Sequence, residues 1–119
     1  MKLVADLFVA LVALLHVWFL VLEMFLWDKP LGMKTFRQTP ESAALTKVLA
    51  ANQGLYNGFL AAGLFWGLWL DAAGAPVKLF FLGCVVVAGV YGAATVGKKI
   101  LFVQALPAAV AMALVLATG

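Results

Sequence analysis

The chain reads as an all-α integral membrane protein, a four-helix bundle forming a single transmembrane domain over residues 1–119. Three observations carry that reading: 66% of the residues are hydrophobic, only 11% are charged, and the apolar stretches break at just three places. A soluble domain carries about 25% charged residues, so this chain lacks the material for a water-facing surface. Its mean hydropathy of +1.12 points the same way.

The first apolar run covers residues 3–27 and closes at Asp28-Lys29-Pro30. A cleaved signal peptide would have a core of roughly 7–15 apolar residues followed by a small-x-small site. This run is longer, no such site follows it, and it contains His16 and Glu23, so it is read as a permanent span. The second run, 47–70, ends at Asp71 and an Ala-Ala-Gly-Ala-Pro turn; the third, 77–96, closes at Gly97-Lys98-Lys99; the fourth is 100–118. Each approaches or exceeds the ~20 residues that cross a hydrocarbon core as a helix. The runs show no strict alternation and are too long for barrel strands, which leaves helices as the spanning form.

Between the first two spans, residues 28–46 form the one stretch with room to fold outside the bilayer. Thr39-Pro40-Glu41-Ser42 has the chemistry of a helix start, with Thr39 as N-cap and Pro40 at the first helical position, so the second helix is expected to begin near residue 40. Met33 and Phe36, flanking Lys34 and close to Arg37, suit an interfacial segment. With four spans, the first and third loops share a side and hold Lys29, Lys34, Arg37, Lys47, Lys98 and Lys99, against Lys2 and Lys78 on the other. Six against two places those loops in the cytoplasm and both termini outside.

The net charge of +3 is scattered between apolar runs, where anionic headgroups meet it, and forms no stripe with interleaved aromatics; the lipid bilayer is the expected partner and nucleic acid is not. One cysteine, Cys84, excludes an intrachain disulfide and a cysteine-rich metal site. With a single histidine and no H-x-x-x-H pattern, neither a metal nor another cofactor is expected.

Polar residues inside spans are costly, so their positions carry the functional information. His16 and Glu23 are seven apart in span one and share a face, about 10 Å apart along the axis. Span two holds Asn52-Gln53-Gly54-Leu55-Tyr56-Asn57-Gly58. Asn52, Tyr56, Gly63 and Gly67 fall on one side of that helix, with Gln53 and Asn57 beside them, and Gly54 and Gly58 on the other. Each glycine pair reads as G-x-x-x-G, so one can seat a helix of the same chain and the other a second copy in a homo-oligomer. Tyr91 in span three and Gln104 in span four lie at a similar depth to Glu23, and Pro107 predicts a kink beside Gln104.

The run Leu15-His16 … Glu23-Met24-Phe25-Leu26-Trp27, followed by Asn52-Gln53-Gly54-Leu55-Tyr56-Asn57-Gly58-Phe59-Leu60-Ala61-Ala62-Gly63, resembles a family of bacterial four-helix membrane proteins of about 120 residues that carries a domain-of-unknown-function label. The resemblance implies the four-helix fold over essentially the whole chain and supplies no catalytic residue. Some members are labelled epimerases, yet this chain has no nucleotide-binding G-x-G-x-x-G after a strand.

The expectation is a polar layer that binds or conducts a small ligand, cation or proton. Glu23 handles charge, His16 is a second titrating group, and Asn52, Gln53, Tyr56, Asn57, Tyr91 and Gln104 line the cavity. Glu23 carries the argument because a carboxylate in a span must be protonated, paired or hydrated, and no Lys or Arg shares its depth. Two alternatives stand beside it: a membrane-embedded enzyme using Glu23 and His16 on a lipophilic substrate, which their axial separation disfavours, and a structural or assembly subunit whose polar layer is packing glue.

Overall fold

The computed structural model describes residues 1–118, which fold into five α-helices with no strand among them. They are α1 (Lys2–Met24), α2 (Pro30–Phe36), α3 (Pro40–Trp69), α4 (Ala75–Thr95) and α5 (Leu106–Thr118). A 3-10 turn, Asp71–Gly74, runs directly into α4, and a π-helical turn, Leu101–Ala105, runs directly into α5. The π turn precedes Pro107, whose missing N–H and bulky ring do not suit an α-helix interior.

Among the described residues, three helical segments are long and apolar enough to cross a bilayer: Lys2–Met24, Asp71–Thr95 and Leu101–Thr118. The remaining span expected from the sequence corresponds to α3. At 30 residues α3 has ample length, but Asn52, Gln53 and Asn57 in its middle lower its apolarity, and it is not among those segments. Span one is also shorter than the hydropathy implies. Helix α1 ends at Met24 because Leu26 N–H bonds back to Val21 O, and the chain turns toward α2, so Glu23 sits in the last turn of its helix.

The chain divides into two compact units. One comprises residues 1–14 together with residues 60–118. Its core is built from Ala5, Val9, Val12 and Ala13 of α1, Leu64 of α3, Leu82 and Val85 of α4, and Ala108, Ala111 and Val115 of α5. The α1 contributors recur at three- and four-residue steps, one stripe of a helix. The small residues of α5 let backbones approach, which is how helices associate when lipid competes equally for apolar side chains. Gly63 lies under the Phe81 ring, and a Cβ at Gly67 would stand 2.8 Å from Lys78 Cγ. Large hydrophobic residues such as Leu3, Leu7, Phe80 and Val87 face outward, as a lipid-solvated surface requires.

The second unit, Leu15–Phe59, holds the C-terminal part of α1, all of α2 and the N-terminal part of α3. The short helix α2 starts with Pro30 at its first position and docks Gly32 so closely on the Leu26 backbone that a Cβ there would lie 1.8 Å from the carbonyl oxygen. The Phe36 ring packs on Trp27, with centroids 4.9 Å apart, and Trp27 Nε1–H donates to Thr46 Oγ1 at 3.1 Å. Helix α2 is closed by Arg37 in the left-handed conformation, φ 55° and ψ 45°, its N–H bonded to Met33 O. Helix α3 then begins at Pro40. There Ser42 N–H donates to Thr39 Oγ1 and Thr39 N–H donates to Ser42 Oγ, a reciprocal arrangement that satisfies two backbone donors. Asp28 and Lys47 pair at 2.9 Å, and that hydrogen bond holds the Asp28 carboxyl below the usual carboxylate range.

Candidate functional site

Two polar features stand out, one in each unit, and each is placed by a glycine. In the second unit His16 is fully buried and Glu23 is only 7% exposed. Seven residues apart, they occupy the same face of α1. The His16 ring meets the edge of Phe19 at 5.2 Å. Across from Glu23, α3 turns Gly54, Asn57 and Gly58 toward α1. A Cβ at Gly54 would lie 3.1 Å from Glu23 Cβ and 2.6 Å from Met24 Cγ, and one at Gly58 would lie 2.7 Å from Leu20 Cδ1. That close approach brings the Asn57 side chain to Glu23, where Nδ2 donates to Oε1. The four ion pairs among the described residues involve neither residue. A buried carboxyl is thus held by a neutral amide rather than by a cation.

Of the eight residues expected at the site, the structure brings Glu23 and Asn57 into contact and sets His16 on the same face of α1. It places Asn52, Gln53 and Tyr56 on the exposed side of α3, with the Tyr56 ring 6.1 Å from Phe59. The reason is rotational: at 100° per residue, Asn52 and Tyr56 lie opposite the glycines that set the packed face. Tyr91, 71% exposed, and Gln104, half-buried, belong to the other unit. Both glycine pairs expected to seat a neighbour receive residues of the same chain, Gly54 and Gly58 from α1 and Gly63 and Gly67 from α4.

The second feature is not among the residues that the sequence singles out. Lys78, in the first turn of α4, is only 4% exposed, and its Nζ lies 2.9 Å from Asp6 Oδ1. Asp6 also pairs with Lys2 at 3.1 Å, and Lys2 reaches Asp71 at 2.6 Å, so four charges alternate in sign along one chain of contacts. Gly67 opens the space through which the Lys78 stem passes. A usable signal is present: Asp6 and Lys78 are opposite charges near the same end of two spans. Counting Lys78 only as a flanking charge for orientation conceals it. Replacing Asp6 with Leu should strand the Lys78 ammonium, at a cost on the order of 3 kcal/mol. That is the lower end of the usual range because Asp6 retains contact with solvent. Adding Lys78→Met to Asp6→Leu should recover most of the loss in a thermal-unfolding series.

Fold and site together define a small all-α integral membrane protein with a buried, amide-held carboxyl. The chain belongs to the family described as "Protein of unknown function (DUF1304)", whose model matches residues 10–116. It is similar to the uncharacterized protein YpaA of Lactococcus lactis subsp. lactis (strain IL1403), with 29% identity over 96 residues that cover 79% of this chain and 81% of that protein. No solved structure matches the chain significantly.

Proposed function

We propose that the protein binds or passes a small ligand, cation or proton within the membrane, and that Glu23 is the group that handles the charge. The observation that carries the proposal is the buried Glu23 carboxyl, whose described partner is the neutral Asn57 amide. A carboxylate left without a cationic partner in a membrane span has charge to exchange, with a proton or with a cation that enters. Asn57 would share the ligand through its carbonyl oxygen, and His16 is the second titratable group on the same face. The test uses protein reconstituted in vesicles with a pH-sensitive dye or a cation indicator inside. Glu23→Gln keeps an acceptor for Asn57 but cannot ionise, so flux should be lost while thermal stability is held. Flux equal to that of the unaltered protein would remove Glu23 from the mechanism.

A specific observation favours a second reading. The seating of Leu20, Glu23 and Met24 against Gly54 and Gly58 is tight, which suits a structural or assembly subunit in which the Glu23–Asn57 bond fixes helix register. In that case no flux appears in either protein, and Glu23→Gln changes neither fold nor stability.

For location, the reading is a bacterial inner (plasma) membrane with both termini outside, supported by the six-to-two distribution of basic residues. A cysteine added beyond Gly119 should then react with an impermeant maleimide in intact cells. Protection from that reagent would reverse the orientation.

A further inference from the structure

Helix α2 cannot lie far from the end of α1. Only five residues separate Met24 from Pro30, and Gly32 is pressed against the Leu26 backbone. The helix is therefore held at the level where an apolar span meets headgroups. Its docked face is Gly32 and Phe36; its other face carries Leu31 and Lys34, both exposed, and exposed Lys29 and Arg37 flank it. Exposed Phe25 precedes it, and Leu45, Val48 and Leu49 stand exposed on the first turns of α3 in the same unit.

The charges of this segment are unbalanced. Asp28, the nearest carboxylate in sequence, is committed to Lys47, and Glu41 is in no ion pair among the described residues. None of Lys29, Lys34 and Arg37 is in an ion pair among the described residues. Three exposed cations thus lie within nine residues, in the same unit as the exposed apolar side chains of Phe25 and Leu31. A surface that is both basic and apolar, fixed at the end of a span, fits one partner chemistry: a phosphate headgroup with its acyl chain attached. Soluble phosphate would satisfy the cations but leave Phe25 and Leu31 uncovered.

We propose that α2 and its flanks form a binding surface for anionic phospholipid, with Lys29, Lys34 and Arg37 on the headgroup and Phe25 and Leu31 against its chains. This surface is independent of the role assigned to Glu23. Each basic residue near an anionic surface is worth about 1 kcal/mol, or roughly fivefold in affinity, so removing three should weaken retention on the order of a hundredfold.

The experiment places the purified full chain in detergent and titrates it with phosphatidylglycerol or phosphatidylcholine, reading bound lipid by native mass spectrometry. Phosphatidylglycerol should be retained selectively, should be released by added salt, and should not be displaced by millimolar inorganic phosphate. The triple variant Lys29→Gln, Lys34→Gln, Arg37→Gln should lose the selectivity. The pair Lys98→Gln, Lys99→Gln, which removes charge elsewhere, should keep it. Equal retention of both lipids by the unaltered protein overturns the proposal, as does equal loss in the two variants. Competition by inorganic phosphate overturns it too, since that would make the surface a simple anion site. The salt and phosphate arms use the unaltered chain, so they decide the matter even if the triple variant fails to fold.

Discussion

Replacing Asn57 with leucine should destabilise the protein by about 2 kcal/mol, while removing both partners of its hydrogen bond should cost much less. The asymmetry follows from what each variant leaves behind. Leucine is close to asparagine in shape, so packing between Gly54 and Gly58 is kept, but the Glu23 carboxyl loses the partner that satisfies it. An orphaned buried polar group costs about 1–3 kcal/mol, and more if it is charged. In Asn57→Leu with Glu23→Leu nothing polar is orphaned, and an apolar contact replaces the bond. Unfolding measured for both single variants and the double variant gives the coupling energy directly. Additive costs would show that the contact contributes nothing, and would remove the basis for the reading in which the Glu23–Asn57 bond fixes helix register.

The second large effect is expected at Gly74. A Cβ there would lie 1.9 Å from Gly67 O and 2.9 Å from its carbonyl carbon. The obstacle is backbone rather than a yielding side chain, and it belongs to the end of α3 that also makes room for Lys78. Gly74→Ala should therefore force the turn between α3 and α4 apart, at a cost above about 3 kcal/mol. Gly83 supplies the contrast. It lies in α4, and a Cβ at that position would meet nothing within 4 Å, so Gly83→Ala should be neutral or stabilise by up to about 1 kcal/mol through helix propensity. Thermal unfolding of the two variants side by side checks both, and similar losses would refute the assignment of Gly74 to a close backbone contact.

What can be read from the sequence follows from how local each signal is. Hydropathy sums along a run, so the three apolar segments are legible without knowing any contact. The start of α3 is written in three neighbouring side chains, Thr39, Pro40 and Ser42. The packed face of α3 is different, because both sides of that helix offer small residues. Polarity favours turning Asn52 and Tyr56 inward; close packing of Gly54 and Gly58 against α1 presents the opposite side of this stretch instead, and Asn57 alone of the polar group goes with it. No single-chain pattern ranks those two choices. Helix α2 is equally hidden, since a seven-residue helix containing Gly32 has no intrinsic stability. It exists because Gly32 and Phe36 dock on Leu26 and Trp27. Lys78 is visible as a residue but not as a buried one, because its partner Asp6 lies 72 positions away.

Arg37 closes α2 in a backbone conformation that suits glycine and costs other residues roughly 1–2 kcal/mol. Here the folding of one turn and the electrostatics of its surface make opposite demands on a single position. Glycine at 37 would relax the turn and surrender a cation; arginine keeps the cation and carries the strain. Engineering guided only by melting temperature would therefore be drawn to remove Arg37, trading a charge at the bilayer edge for a more comfortable bend.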